Sequence, residues 1–257
     1  MRIATWNVNS IRVRVDHVAQ WVEMAQPDVL AIQELKAQDH QFPTAAFEEM
    51  GYPYHLVHGQ KAYNGVAIVS KLPISDAHKG LDDGEEDTAA RYVDCLVGGL
   101  RLINCYVPAG APVGSDNFAY KLRWMSRLSR KLERDFRDEP NLMLVGDINI
   151  APGELDVHDP FAFHGEIAFT DQEHAAFQKL IDFGLTDSFR SHAPYSQQFS
   201  WWDYRGQGFR RGRGIRIDHI LVTESLMKRK KRVEIDPTPR GWDRPTDHAP
   251  KFIDLDT

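Results

Sequence analysis

The chain has almost no cysteine. Cys95 and Cys105 are the only two in 257 residues, and they lack Cys-x-x-Cys spacing. That makes buried thiols in a reducing compartment the better reading than a disulfide framework or a zinc site. No apolar run approaches the roughly 18 residues of a membrane span. The start, Met1-Arg2-Ile3-Ala4-Thr5-Trp6, reads as a strand, with Asn7 and Asn9 where a secretory leader would be apolar. A cytoplasmic chain without membrane association is expected. Positive charge is also short: the net charge is −6, which taken alone argues against a nucleic-acid partner. No phosphate-binding glycine loop, kinase signature or Ser-His-Asp nucleophile elbow is present. No Pro/Ser/Gly-rich linker or solenoid repeat divides the sequence, so one domain over residues 1–257 is expected.

What is present is patterned. Hydrophobic residues make up 42%, enough for a substantial core. Charge is patchy: Asp82, Asp83, Glu85, Glu86 and Asp87 form an acidic cluster, and Arg210, Arg211, Arg213 and Arg216 a basic one. Gly206, Gly208, Gly212 and Gly214 suggest a flexible loop for these arginines, interleaved with Trp201, Trp202, Tyr204 and Phe209. A second basic run, 228–232, reads either as a solvated helix end or as part of a basic face. A negative net charge is compatible with a basic face toward a phosphate backbone when the carboxylates are gathered for metal.

Strands and helices alternate. Strand-like runs occupy 3–8, 29–33, 65–70, 92–97, 100–107, 142–145, 200–204, 215–222 and 251–255. Val15, Val18, Ala19 and Val22 mark one face of a first helix. Phe118, Leu122, Met125, Leu128, Leu132 and Phe136 mark the stripe of a longer one. Thr170-Asp171-Gln172-Glu173 is a capping box, with Gly184 at the other end of that helix. Both halves share a rhythm of strand, polar cluster, helix and further strands, which predicts two packed sheets with outer helices.

The polar clusters carry the chemistry. Asn7, Glu34, Asp147 with Asn149, and Asp247 with His248 each follow a short apolar run. Singly, Asn7 reads as a turn former and Glu34 as a solvated strand end. Together they suit a hard metal holding a phosphate, because Mg²⁺ takes one or two carboxylates plus water and phosphate oxygens. Asp218 lies within an apolar strand, where a carboxylate needs a partner, and His248 is the natural one. Tyr106 adds a phenol at a strand end. The set predicts metal-assisted hydrolysis of a phosphodiester by water.

The runs Ile3-Ala4-Thr5-Trp6-Asn7-Val8-Asn9, Gln33-Glu34-Leu35-Lys36, Gly146-Asp147-Ile148-Asn149-Ile150-Ala151-Pro152, Phe199-Ser200-Trp201-Trp202-Asp203-Tyr204-Arg205, Arg216-Ile217-Asp218-His219 and Thr246-Asp247-His248-Ala249-Pro250 resemble the bacterial exonuclease III family, abasic-site endonucleases and 3′-end-processing nucleases of the endonuclease/exonuclease/phosphatase superfamily. The resemblance spans essentially the whole chain, with the motifs in family order. It implies a four-layer α/β sandwich, two mixed sheets face to face between helices. It implies Mg²⁺, or Mn²⁺, at Glu34 with Asn7 aligning it and completing the metal environment, and with Asp247 as an additional carboxylate. Asp147 would activate water, held by Asn149. His248 would bind phosphate, oriented by Asp218, with Tyr106 beside the scissile group. The implied partner is double-stranded DNA with abasic sites or blocked 3′ ends. Arg91 would contact the backbone, and Trp201 and Ile215 would line a pocket for a baseless sugar. Tyr204, Arg205, Arg210, Arg211 and Arg213 are further DNA-contact candidates. A monomer, nucleoid-associated when on DNA, is expected.

The chain departs from the family pattern at Ala109, where relatives often carry Asn or Gln, at Leu35, and in the loop 153–169. That loop carries Phe161, Phe163 and His164, bulky for an open abasic pocket. Either they pack the loop, or His164 and its neighbours narrow the pocket and favour 3′-end trimming over internal cleavage. Two other function classes compete. An inositol-phosphate or phospholipid phosphatase would share the acids but would not need the Trp-Trp-Asp-Tyr-Arg segment. A non-catalytic DNA-binding descendant would need a broken acid, amide or His set.

Overall fold

The computed structural model describes residues 1–256. In chain order the first elements are β1 (Arg2–Asn7), α1 (Ile11–Ala25), β2 (Val29–Gln33), α2 (Thr44–Glu49), β3 (Tyr54–His58), β4 (Val66–Ser70), β5 (Ile74–Lys79), β6 (Tyr92–Val97) and β7 (Leu100–Tyr106). There follow α3 (Asp116–Asp135), β8 (Leu142–Asp147), α4 (Pro160–Phe163), α5 (Asp171–Asp182), β9 (Thr186–Asp187) and α6 (Ser188–His192). The last are β10 (Asp218–Val222), α7 (Glu224–Lys228), β11 (Lys230–Ile235) and β12 (Lys251–Leu255).

Among the described residues these strands form two six-stranded mixed sheets, ordered β11-β12-β1-β2-β4-β3 and β5-β6-β7-β8-β10-β9. Each holds one parallel pair, β1 with β2 and β7 with β8. A parallel pair needs a crossover, and α1 and α3 supply them. Ile3, Ala31, Ile68, Val145, Ile220 and Ile253 belong to the core between the sheets, and each fully buried Ile or Val side chain adds about 1.5–3 kcal/mol. Trp6 and Trp21, with ring centroids 5.6 Å apart, belong to the core beneath α1. Trp124, Leu128 and Phe177 join α3 and α5 to the second sheet. The layers are therefore helix, sheet, sheet, helix, as the resemblance implied.

A polar link crosses the seam beside Glu34. Gln33 Nε2 donates to Thr5 Oγ1 at 2.8 Å within its own sheet and to Asn104 Oδ1 at 2.7 Å in the other. Asn104 Nδ2 donates back to the carbonyls of Ile32 at 3.0 Å and Ala67 at 2.8 Å.

Several sequence expectations need correction. Residues 200–204 form no strand; Trp201 makes only isolated bridges to Ile215 and His248, so the segment is a strap across strand ends. On α1, Val18 and Val22 are buried, but Ile11, Trp21 and Ala25 complete the core face, leaving Val15 and Ala19 partly exposed. The larger rings and branched chains take the core side. The basic run 228–232 ends α7 and then enters β11, an edge strand whose charged residues discourage pairing with another chain. Arg216 is not part of the exposed arginine cluster. It is fully buried, with Nε 2.7 Å from Asp156 and Nη1 2.8 Å from Asp187. The capping box on α5 is present as expected, with Thr170 and Glu173 bonding reciprocally. Cys95 and Cys105 are buried free thiols. No helix among the described residues is long and apolar enough to cross a membrane.

Candidate active site

The two parallel pairs end at one edge of the sandwich. Asn7 and Gln33 close β1 and β2, with Glu34 immediately after; Tyr106 and Asp147 close β7 and β8. β10 runs antiparallel to β8 and opens at the same edge, so Asp218 lies across from Asp147. The loop before β12 brings His248 to the group. Just before Asp147, Gly146 has φ +135°, and a Cβ there would sit 1.9 Å from the Cys105 carbonyl. Only glycine lets β8 turn its terminal carboxylate outward beside β7. Glu34 and Asn149 adopt left-handed backbone at φ 54°, uncommon for non-glycine residues and concentrated at functional sites.

The carboxylates are cross-linked by an amide. Asn7 Nδ2 donates to Glu34 Oε1 and to Asp147 Oδ2, both at 2.9 Å, while its Oδ1 accepts from the Asn9 N–H at 3.0 Å. Asp147 Oδ1 accepts from the Asn149 N–H at 3.0 Å, and Asn149 Nδ2 donates to the Val107 carbonyl at 2.9 Å. His248 Nδ1 lies 2.9 Å from Asp218 Oδ2, and its Nε2 lies 3.7 Å from Asp147 Oδ2. Ser200 Oγ accepts from the backbone N–H groups of Ile217 and Asp218, which anchors the dyad carboxylate.

Burial drives the titration behaviour. It pushes the Asp147 carboxyl up, as do Asp218 and Glu34, against the pull of His248 and the Asn7 amide. Burial alone would strip His248 of its proton, but Asp218, Asp147 and Asp247 outweigh it and raise the imidazole. The shorter contact assigns that proton to the Asp218–His248 pair. Tyr106 is raised by burial and then by Glu34 and Asp147, so it stays a neutral phenol.

Glu34, Asp147 and His248 offer ligand atoms within 4.8 Å of one another. With His248 protonated, the donors left are carboxylate oxygens, which suit a hard divalent cation that keeps water and phosphate among its ligands. Asn7 and Asp247 stand beside these carboxylates. Asn7 turns its amide nitrogen toward both carboxylates, so it aligns them as a donor. Asp247 lines the same cavity, its oxygens accepting from Asn9 Nδ2 at 2.9 Å and Trp201 Nε1 at 3.0 Å.

These groups open into a cavity of about 470 Å³ that also exposes Tyr106, Ala109, Asn149, Trp201, Arg205, Arg213 and Ile215. Arg91 packs its guanidinium 4.8 Å from the Tyr106 ring centroid and donates to the Tyr106 carbonyl at 3.2 Å. Tyr204 is half-exposed, its hydroxyl donating to the Pro245 carbonyl at 2.8 Å. Arg205 pairs with Asp203 at 3.0 Å. Arg210 and Arg211 are exposed but do not line the cavity. Their loop is pinned by Phe209 edge-on to Trp202 at 5.1 Å, with Arg240 over both rings.

His164 lies elsewhere. It is exposed at the end of α4 and is not in the cavity wall, because α4 turns His164 and Phe161 to solvent and Phe163 inward. The wall on this side is His158, Phe163, Ile167 and Ala168. Sequence reasoning also missed Lys36, whose Nζ lies 2.9 Å from Glu34 Oε2, and Asn9, which joins Lys36 to Asp247. Their spacing two residues beyond Glu34 and Asn7 was the available signal.

The family model described as Endonuclease/Exonuclease/phosphatase family matches residues 4–248. Exodeoxyribonuclease III of Haemophilus influenzae is 35% identical, with 99% of this chain and 100% of that protein covered. Among solved structures, a 3′ phosphatase from Neisseria bound to a product DNA hairpin superposes with TM-score 0.97 at 40% identity, covering 100% of both chains. An AP endonuclease from Archaeoglobus fulgidus superposes with TM-score 0.94 at 35% identity, again covering 100% of both.

Proposed function

The chain belongs to the endonuclease/exonuclease/phosphatase family, and on that premise we propose that it is a Mg²⁺-dependent DNA repair nuclease. Its substrates are phosphodiesters and phosphomonoesters of duplex DNA at abasic sites and blocked 3′ ends, with 3′ ends preferred. One observation carries the reading. A buried Asp218–His248 dyad and two amide-linked carboxylates, Glu34 and Asp147, share a cavity whose wall includes Trp201, Ile215, Arg205 and Arg213.

Each residue has a role its surroundings support. Asp147, raised toward neutrality and held by Asn7 and the Asn149 N–H, takes the proton of the attacking water. His248, kept protonated by Asp218, donates from Nε2 to a non-bridging phosphate oxygen. Tyr106 keeps its proton and donates beside the same phosphate. Glu34, aligned by Asn7 and with Asp247 as an additional carboxylate, would hold Mg²⁺, which supplies charge neutralisation to the phosphate when bound. Trp201 and Ile215 offer an apolar face to a baseless sugar. The 3′-end preference rests on the bulk of Phe163 and Ile167, which line that cavity beside Ala168.

The test is to assay duplexes carrying an internal abasic site or a nick with a 3′-phosphate, beside an inositol phosphate, with and without chelator. Chelator-sensitive cleavage of both DNAs, faster at the 3′-phosphate, is expected. Turnover of the inositol phosphate alone would establish the phosphatase alternative, and binding of DNA without turnover would establish the non-catalytic one.

A further inference from the structure

A fully buried ion pair stands behind the cavity and takes no part in the proposed chemistry. Lys121 on α3 and Glu173 on α5 are both at 0% exposure and in direct contact. Burial pulls the Lys121 ammonium down, and the nearby Glu173 carboxylate opposes that. Buried pairs of this kind are weak sources of stability, because desolvation offsets their attraction. Their use is to fix geometry, and besides the α5 capping box three of the bonds made here reach segments of the cavity wall.

Lys121 Nζ donates to the Asn149 carbonyl at 2.7 Å and to the Ala109 carbonyl at 3.3 Å. Gly110, at φ +79°, rests on the lysine stem; a Cβ there would lie 2.7 Å from Lys121 Cδ. Glu173 Oε1 also accepts the Ala168 N–H at 3.0 Å, while Oε2 accepts from Thr170. Ala168 in turn accepts from the Ala151 N–H at 2.9 Å. Ala109, Asn149 and Ala168 all line the cavity. One charge pair thus joins three wall segments that are distant in sequence, and one of them carries the N–H that holds Asp147.

We propose that Lys121 and Glu173 are positioning residues that set the left-handed turn at Asn149, and through it Asp147, together with the width of the cavity between Ala109 and Ala168. This rests on the nuclease reading only for its kinetic consequence. The positional consequence stands independently of any activity.

The test compares Glu173→Gln and the double variant Lys121→Gln/Glu173→Gln with wild type. Both keep hydrogen-bonding side chains of similar volume, and the double variant leaves no unpaired buried charge if Glu173→Gln alone does not fold. Crystal structures, kcat and KM on the abasic and 3′-phosphate duplexes, and DNA affinity are measured. We expect displacement of Asn149 by about 1 Å, a fall in kcat of about 100-fold, DNA affinity within twofold, and a changed ratio between substrates. A merely structural pair would lower thermal stability and leave kcat per folded molecule and the substrate ratio untouched. A folded variant with Asn149 in place and kcat within twofold of wild type would overturn the proposal. A wild type that cleaves neither duplex would overturn the nuclease reading instead, while Asn149 in the variant structures would still decide the positional one.

Discussion

Asp147 and Asp218 face one another across the β8–β10 ladder, and His248 lies between their carboxylates, 2.9 Å from Asp218 and 3.7 Å from Asp147. The two acids are thereby set to different tasks. The nearer one shares the imidazolium proton; the farther one, raised by burial, is left to accept another.

Asp147→Asn, Glu34→Gln and His248→Ala should each lower turnover by orders of magnitude with the fold intact. Because Asn7 and His248 couple these groups, the effects should be strongly non-additive in double variants. Near-normal metal-dependent cleavage by any two of them would refute the assignment.

Replacing Arg210, Arg211 and Arg213 together by Ser should weaken DNA binding and flatten its salt dependence. Each lost phosphate contact reduces the slope of log K against log[salt] by about 0.9. Chemistry at saturating DNA should change much less. An unchanged slope would mean that the loop faces solvent only.

Phe163→Ala should raise cleavage at an internal abasic site more than removal of a 3′-phosphate. Seating a baseless nucleotide costs a few kcal/mol of unstacking and needs the room Phe163 occupies. His164→Gly should leave that ratio unchanged, since His164 lies outside the cavity wall. Matched oligonucleotides compare both rates; parallel changes in the Phe163 variant would sink the gating idea.

Lys251 should make stability depend on pH. It is fully buried, with Nζ 5.1 Å from the Phe189 ring centroid and 3.5 Å from the Asp218 carbonyl. Burial, the largest influence, together with Arg216 lowers its pKa from 10.5 to about 7, against Asp187, Asp218 and Asp156. The unfolded chain therefore binds more protons between about pH 7 and 10.5, so this group makes stability rise with pH across that window. Below the folded pKa both states are protonated and its penalty is constant. Lys251→Met should remove this contribution to the slope. Urea unfolding at pH 7 and pH 9.5 checks this; an equal pH difference in wild type and variant would contradict it.

Much of the site was legible because buried strands announce their ends. β2, β6 and β12 have the bounds that their apolar runs suggest, and Asn7, Glu34 and Asp147 stand where apolar runs meet polar residues, whereas Asp218, read inside the run 215–222, opens β10. Edge elements were not legible. β5 has mostly exposed side chains, and β11 opens on charged ones, so neither carries a burial period. The strap at 200–204 has strand-like residues but bonds to two different partners, which no local pattern reveals. Lys121 was hidden for a different reason. Beside the apolar stripe of α3 a lysine reads as solvated, and only its meeting with Glu173 on another helix keeps it inside.

The link between Gln33 and Asn104 bears on mechanical tolerance. Glu34 rides on one sheet and Asp147 on the other, and most of the surface between the sheets is aliphatic. Aliphatic surfaces resist separation far better than they resist sliding, because dispersion and hydrophobic burial are non-directional. Hydrogen bonds at 2.7–3.0 Å have direction, and these are pinned one residue from Glu34. They act as a dowel in a lubricated joint. Loosening that link by Asn104→Ala should therefore cost alignment of Glu34 with Asp147 before it costs the sandwich, read as activity lost below the unfolding temperature.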